Sequence, residues 1–365
     1  HWGYLTYIAN EEVERQYLTD GGKYKYYDSD ADKNDYSWFV KAAYNFGSGW
    51  NAFADMQMRI VDYTTDGVND KFIKGKKDGR TFYTQQQLNI DETYVFYNPK
   101  AGISYTRGGH KAYASVAYAN REPERNNFTD NSSAALPKAE HLFDTELGYQ
   151  YRAANWYASA NLYYMRYINQ FVMTGAKSDI GEAITSNIKN SYRLGAELSA
   201  GWSPLQWLSL EGNAALSQNK LKNFTEEVEA WDTEAVHNTY AKSTLSYSPS
   251  AILNGFVDVH FGGFSATWHT NFVSRQYLDN TQSSERSIPS YSQTDLAFNY
   301  TSKISKAFGM KQVTLGIDFN NIFNRHYAAS GYVYYDWYNE GKRTSTLAYI
   351  PMAGFTCMTH VTLKF

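Results

Sequence analysis

The sequence predicts an all-β protein, an antiparallel transmembrane β-barrel of about fourteen strands, and three observations carry that prediction. Segment after segment alternates apolar with polar side chains at a period of two. Connections alternate between tight turns and long polar loops. Aromatic residues are abundant, with 33 Tyr, 20 Phe and 9 Trp in 365 residues, and many stand beside the tight turns. A mean hydropathy of −0.57, with no apolar run near the roughly 20 residues of a spanning helix, excludes an α-helical membrane protein. A barrel needs only every second residue to be apolar, so a polar average is compatible with a bilayer. Cys357 is the single cysteine, which rules out a disulfide framework, and 34 Lys plus Arg against 37 Asp plus Glu imply no nucleic-acid partner.

Taken in order, strands are expected at 2–9, 35–46, 50–63, 93–106, 111–121, 141–152, 156–172, 188–202, 206–220, 245–261, 263–276, 290–302, 311–324 and 354–365. Parity defines each one. Leu194, Ala196, Leu198, Ala200 and Trp202 oppose Arg193, Gly195, Glu197, Ser199 and Gly201; Leu208, Leu210, Gly212, Ala214 and Leu216 oppose Ser209, Glu211, Asn213, Ala215 and Ser217. The same holds for Leu253 to Phe261, Phe264 to Phe272, Val313 to Phe319 and Phe355 to Phe365. A soluble β-sandwich would show similar alternation, with the apolar parity as a dry core. Trp38, Tyr44, Trp50, Tyr105, Tyr149, Tyr151, Trp156, Trp202, Trp207, Phe261 and Phe264 at strand ends favour an interfacial aromatic girdle instead.

Every second connection is expected to be tight: Gly47-Ser48-Gly49, Arg107 to His110, Ala153-Ala154-Asn155, Ser203-Pro204-Leu205 and Gly262-Gly263, with Lys303 to Met310 slightly longer. The others, near 10–34, 64–92, 122–140, 173–187, 221–244, 277–289 and 325–353, read as long polar loops. Short turns on one rim and long loops on the other suit an outer-membrane barrel. Fourteen is an even number, so a passive fourteen-strand porin or hydrophobic-compound channel stands as the alternative function. The chain opens on His1-Trp2-Gly3-Tyr4, and residue 1 is expected to be an internal point of a longer polypeptide.

Several runs then carry a family resemblance. Ala119-Asn120-Arg121-Glu122-Pro123 is similar to a strand-end "sFR-x-P" element; Glu146-Leu147-Gly148-Tyr149 to an "ELG" run; Tyr192-Arg193-Leu194-Gly195-Ala196-Glu197-Leu198 to an "R-x-G-x-E-L" strand. Ile288-Pro289-Ser290-Tyr291 with Asp295-Leu296, and Asp318 to Tyr327 with its Asn321-Ile322-Phe323-Asn324, follow in the same order, and Phe365 resembles the family's aromatic terminus. The chain thus resembles the C-terminal part of a TonB-dependent outer-membrane receptor of the Bacteroidetes type. The resemblance implies that residues 1–365 are the last fourteen strands of a barrel of about 22, integral to the bacterial outer membrane. It also implies that the N-terminal plug and first strands belong to a separate or cleaved polypeptide. The implied activity is active import of a scarce nutrient, with binding and release rather than catalysis. The cargo would be a ferric siderophore, haem or cobalamin; the partners would be the plug, TonB acting through the plug, outer-membrane lipid and an outer-surface lipoprotein.

No catalytic constellation is present in the sequence: it has no Gly-x-Ser-x-Gly and no zinc-ligand spacing among its eight His. Asp28 to Asp35 carries alternating oxygen ligands like a calcium loop, but lacks Gly at the sixth and Glu at the twelfth place. A solvated outer loop is the expected reading of that run and calcium the lesser one. The polar parity carries Arg193, Glu197, Glu211, Asp258, His260, His269, Asp295 and Asp318, which either support neighbouring strands or dock the plug. Ligand-binding candidates are Trp231, Tyr332, Tyr334, Tyr335, Trp337, Tyr338 and Arg343 in outer loops, since rings give contact area and Arg pairs with carboxylates. Arg121 and Glu122 join them through the resemblance, and His237 and His326 are the loop histidines to test for haem ligation.

Overall fold

The computed structural model describes residues 2–5, 11–17, 24–77, 80–129, 136–177, 183–231, 234–303 and 309–365. Its elements are β1 (Trp2–Leu5), α1 (Glu11–Tyr17), β2 (Tyr24–Gly47), β3 (Trp50–Lys77), β4 (Arg80–Arg107), β5 (His110–Arg121), α2 (Arg125–Thr129), β6 (Glu140–Arg152) and β7 (Trp156–Lys177). There follow β8 (Ala183–Leu205), β9 (Leu208–Ala230), β10 (Val236–Thr244), β11 (Ala251–Phe261), β12 (Phe264–Val273), β13 (Gln276–Tyr277), β14 (Ser287–Ile288) and β15 (Tyr291–Lys303). The chain ends with β16 (Gln312–Asn320), β17 (Ala328–Asn339), β18 (Lys342–Pro351) and β19 (Thr356–Lys364). It divides into two compact units, one of 1–41, 55–99 and 120–139, the other of 42–54, 100–119 and 140–365.

In the second unit β6, β7, β8, β9, β11, β12, β15, β16 and β19 pair in that succession, each antiparallel to the last. The ladders match parity with parity: Leu198 lies opposite Ala214, which lies opposite Leu253, which lies opposite Phe272. This apolar face is open. Leu162 is 51% exposed, Leu315 53% and Val361 63%, values that no dry sandwich core would give. A face so apolar and so open fits hydrocarbon as its neighbour. The polar face is knitted by side chains instead, as in Ser159 to Ser199 (2.6 Å), Asn254 to Asn213 (2.9 Å) and Asn271 to Asn254 (2.9 Å).

The tight turns share one rim, because each is bonded to the strand end beside the next. Thr106 N–H donates to Gly49 O, Arg152 to Gly109, Ser203 to Asn155, His260 to Trp207, Thr301 to Gly263 and Lys311 to Lys364. Rings pair along this rim at 4.8 to 4.9 Å: Trp50 with Tyr105, Tyr151 with Trp156, and Trp207 with Phe261. One turn falls elsewhere than expected. Ser203-Pro204-Leu205 closes β8, and the turn is Gln206-Trp207, because the ladder slips between Trp202 and Leu205.

The expected long loops are largely strand, which is the main correction to the sequence reading. Residues 64–92 extend β3 and β4, 221–244 supply the end of β9 and β10, and 325–353 supply the β17–β18 hairpin. Their Thr, Val, Tyr and Phe content is strand-forming, and hydrogen bonding between their own two arms satisfies a ribbon as well as a loop would. β9 therefore meets two partners in tandem on one edge, β11 along Leu208 to Leu216 and β10 along Lys220 to Val228, with 245–250 turning between them. Among the described residues seventeen strands share the sheet rather than fourteen, since β10, β17 and β18 add to the expected set.

A line of bending crosses these strands. Asn169 in β7 and Asn223 in β9 both have positive φ (56° and 53°) and stand at one level of the ladders. Asn tolerates this region better than other non-glycine residues. Below the line the even-numbered side chains of β7 and β9 are open, as at Leu162 and Leu216; above it Val172, Phe224, Glu226 and Val228 are buried. Val172, Ile188, Leu221 and Phe224 form a small core there, capped by Tyr240 and Leu245.

The first unit has its own core of Tyr63, Leu88, Ile90 and Phe128, with the Phe128 ring of α2 stacked on Tyr63 at 5.3 Å. α1 is fixed by the Tyr17 hydroxyl, which donates to Tyr83 O (2.7 Å). The run Asp28 to Asp35 lies inside β2, not in a loop. Alternate strand residues stand about 6.6–6.8 Å apart along the chain, so these oxygens cannot curl around one ion as a calcium loop does.

Candidate outer ligand site

β17 and β18 form a hairpin whose turn, Glu340-Gly341, has φ of 49° and 72°, the type I′ geometry that matches strand twist. A register shift between Val333 and Tyr335 inserts one residue into β17. That bulge sets the Tyr334 and Tyr335 rings 4.3 Å apart, edge to face. Ring contacts continue both ways, from Tyr332 to Tyr334 (6.3 Å), Tyr335 to Trp337 (5.1 Å) and Trp337 to Trp231 (5.7 Å). Trp231 is held by its own N–H, which donates to Tyr338 O, where the ends of β9 and β17 run parallel. Five rings thus form one chain, and Trp231 at its end is 75% exposed.

Under this chain lies a buried ionic network that parity could have exposed. Phe224, Glu226 and Val228 alternate on one face of β9, so Glu226 shares the buried side with its apolar neighbours. Both Arg343 Nη atoms donate to the Glu226 carboxylate (Nη1 at 2.9 Å), and Arg343 Nε donates to Asp336 Oδ1 (2.8 Å). The Tyr240 hydroxyl also donates to Glu226 (3.2 Å). Arg286 pairs with Asp279 and stands 3.8 Å from Glu226. Oxygens of Glu226, Asp279 and Asp336 converge closely enough to hold a metal ion, but two guanidiniums already pair with them. Burial works to raise the Asp336 carboxyl, but hydrogen bonds from Arg343 and Ser345 outweigh it and hold the group below its ordinary range. Burial likewise lowers Arg343, and its bonds to Asp336 and Glu226 carry it above the usual guanidinium value. Arg343, expected to meet an anionic ligand, is therefore committed to two carboxylates of its own chain, with Tyr338 beside it at 6.0 Å.

Glu122 is similarly committed in the first unit. It is buried and accepts bonds from Lys33 (2.7 Å) and Arg59 (2.8 Å), with Asp35 also on Arg59. Burial pushes the Glu122 carboxyl up, and the Lys33 and Arg59 bonds bring it below its ordinary range. Arg121 points instead to an exposed pair with Glu124 at 3.8 Å. His237 is an exposed residue of β10 opposite Glu227. His326, also exposed, lies between β16 and β17 at a cavity of about 660 Å³ lined by Phe272, Pro289, Tyr349 and the stacked Tyr291 and Tyr327.

The polar-face candidates fall into two kinds. Asp258 accepts from Thr267 (2.6 Å), Asp295 accepts from the Asn321 N–H (2.8 Å) and faces His269 (3.6 Å), and Asp318 faces His360 (3.3 Å). His269 stacks on Phe256 at 4.4 Å. These brace the wall. Among the described residues Arg193 lies over the Tyr167 ring (5.5 Å) with its Nε buried and unbonded, Glu197 meets the amide of Asn161 (3.4 Å), and Glu211 and His260 are exposed.

Against known proteins, residues 2–322 match the family described as "TonB dependent receptor-like, beta-barrel". The chain belongs to the TonB-dependent receptor β-barrel family. It is thus an integral outer-membrane protein. Solved structures with the same fold include the copper transporter OprC (14% identity, 93% of this chain and 50% of that one, TM-score 0.67). Others are the siderophore receptor PiuA from Acinetobacter baumannii (14%, 93% and 44%, TM-score 0.63) and the ferric yersiniabactin uptake receptor FyuA from Yersinia pestis (14%, 92% and 46%, TM-score 0.60). The chain spans about half the length of these receptors. No curated protein matches its sequence.

Proposed function

We propose that this chain is the C-terminal part of a TonB-dependent importer that captures a ring-bearing nutrient on the Trp231–Trp337–Tyr335–Tyr334–Tyr332 chain. The observation that carries the reading is that chain of five rings, four of them exposed, on and beside a hairpin of a receptor-family barrel. Aromatic surface of this kind contributes contact area at little entropic cost. Arg343 and Glu122 are then supports rather than ligand contacts, and Arg193, Glu197, Glu211 and His260 are the polar-face groups left to meet a plug. All nine residues of β19 are exposed on both parities, which supports further strands and an N-terminal plug supplied by polypeptide beyond this sequence.

The test uses the full-length receptor with ferric tris-catecholate, haemin and cyanocobalamin as trial cargoes. One of them is expected to quench tryptophan fluorescence and to enter cells only when TonB is present. Trp231→Ala should weaken its binding about tenfold. Entry of every cargo without TonB would establish a passive channel, and unaltered binding by Trp231→Ala together with Tyr335→Ala would remove the ring chain from the site.

A further inference from the structure

Four cations stand on the lipid-facing side of the barrel with no acid among the described residues to answer them. Trp156, Trp202 and Leu210 mark one row across β7, β8 and β9 at the short-turn end. Ten residues farther along the same parity the row reads Arg166, Tyr192, Lys220, Thr244, and the next reads Ile168, Asn190, Lys222, Lys242. A membrane-crossing strand is about 9–11 residues long. These rows therefore lie at the headgroup level of the outer leaflet, above the apolar band and just below the bend at Asn169 and Asn223.

The chemistry of the patch is cationic and aromatic. Lys222 and Lys242 face each other across the ladder, both over the Tyr192 ring at 5.9 and 5.8 Å. Tyr164 packs beside Tyr192 at 6.3 Å. Lys220 Nζ donates to Thr244 Oγ1 (2.7 Å) and Gln282 Oε1 (3.0 Å), both neutral. Among the described residues no carboxylate pairs with Arg166, Lys220, Lys222 or Lys242, although like charges directly opposite each other destabilise a sheet. Arg166, Tyr192 and Lys222 border a hollow of about 320 Å³.

We infer that this patch binds the phosphate of an outer-leaflet lipid, the acyl chains lying against the apolar band beneath. Charge complementarity and continuity with the lipid-facing surface both favour that occupant. The inference rests on the outer-membrane location and not on the import reading, so a failure of transport leaves it standing.

The experiment measures binding of diphosphoryl lipid A, its dephosphorylated form and inorganic phosphate to the full-length receptor in detergent by native mass spectrometry. Diphosphoryl lipid A is expected to bind, and each Lys→Gln change at 220, 222 or 242 should weaken it about fivefold, the effect of one cation at a charged lipid surface. The dephosphorylated lipid should bind far more weakly. Lys222→Arg should restore binding that Lys222→Gln loses. Should the Lys220, Lys222, Lys242 triple variant not fold, the single variants and the dephosphorylated lipid decide the matter alone. Equal binding of both lipids, or of wild type and variants, would overturn the inference. Complete displacement by millimolar inorganic phosphate would do so too, by showing a free-anion site.

Discussion

Glu122 and Glu226 are the two buried carboxylates among the described residues that meet guanidiniums, one in each unit, and their surroundings differ. Around Glu122 the partners are more open: Lys33 is 47% and Arg59 23% exposed. Around Glu226 every partner is sheltered, with Arg343 at 16% and Arg286 at 7%. Water can replace a lost partner in the first network and not in the second. An enclosed ion pair that loses one member leaves a charge without compensation, whereas an exposed one relaxes into solvent. The difference says which network fastens structure tightly and which only trims it.

The largest expected effect follows from that. Arg343→Met should cost about 3–5 kcal/mol of local stability, because Glu226 and Asp336 are left facing each other. Amide exchange in β17 and β18 should accelerate while β7 and β8 keep their protection. Arg343→Lys should recover part of it, since a single ammonium cannot serve both carboxylates with a guanidinium's fork. Unchanged exchange in Arg343→Met would show that the hairpin is fastened elsewhere.

Glu122→Gln should cost less, about 1–3 kcal/mol, since Arg59 retains Asp35 and Lys33 returns to water. Exchange at α2 and the adjoining part of β3 reads this. A cost equal to that of Arg343→Met would erase the contrast between the two networks.

Acid separates them further. Glu122 and Asp336 both have carboxyl groups held below their ordinary range, so the stability they contribute is fully present above the unfolded values, about pH 4, and is lost as pH falls through the depressed folded values. Protection of α2 and of β17–β18 should stay level from pH 8 to 5 and drop below about pH 4. In Arg343→Met the Arg343 bonds that lower Asp336 are gone and only the Ser345 hydroxyl and the Arg286 charge still oppose burial, so the drop at the hairpin should begin at higher pH while α2 keeps its profile. A common shift in both regions would mean that global unfolding, not the local network, sets the profile.

How far the sequence revealed these regions depended on range. The membrane-facing part of β7, β8 and β9 was legible, because lipid on one side and polar groups on the other impose strict parity. Tight turns were legible from Gly and Asn, save that Pro204 drew the turn ahead of Gln206. Beyond the bend no single solvent imposes a pattern, so ribbons such as 64–92 and 325–353 looked like loops although they pair with themselves. The rings of the outer site were visible as composition, but their chain depends on a bulge at Tyr334 that no spacing announces. Arg343 looked like a ligand for anions because Glu226, 117 residues away, could not be placed beside it.

The smallest effect concerns the bend itself. Asn169 and Asn223 hold φ of 56° and 53°, where a Cβ is strained and only Gly or Asn sits comfortably. Replacing either by Ala should cost about 1–2 kcal/mol, and by Gly almost nothing, since Gly accepts this backbone without strain. Asn169 adds a second term: its carbonyl accepts from Asn187 Nδ2 (2.7 Å), and that bond survives either change because it is made by the backbone. If strain is the whole role, Asn169→Gly and Asn223→Gly both leave the protection of the Val172, Ile188, Leu221 and Phe224 core untouched, and both Ala variants lower it equally. If Gly proves as harmful as Ala at one position, the Asn side chain there is holding something that the backbone does not, and the bend is fastened by that side chain rather than by φ.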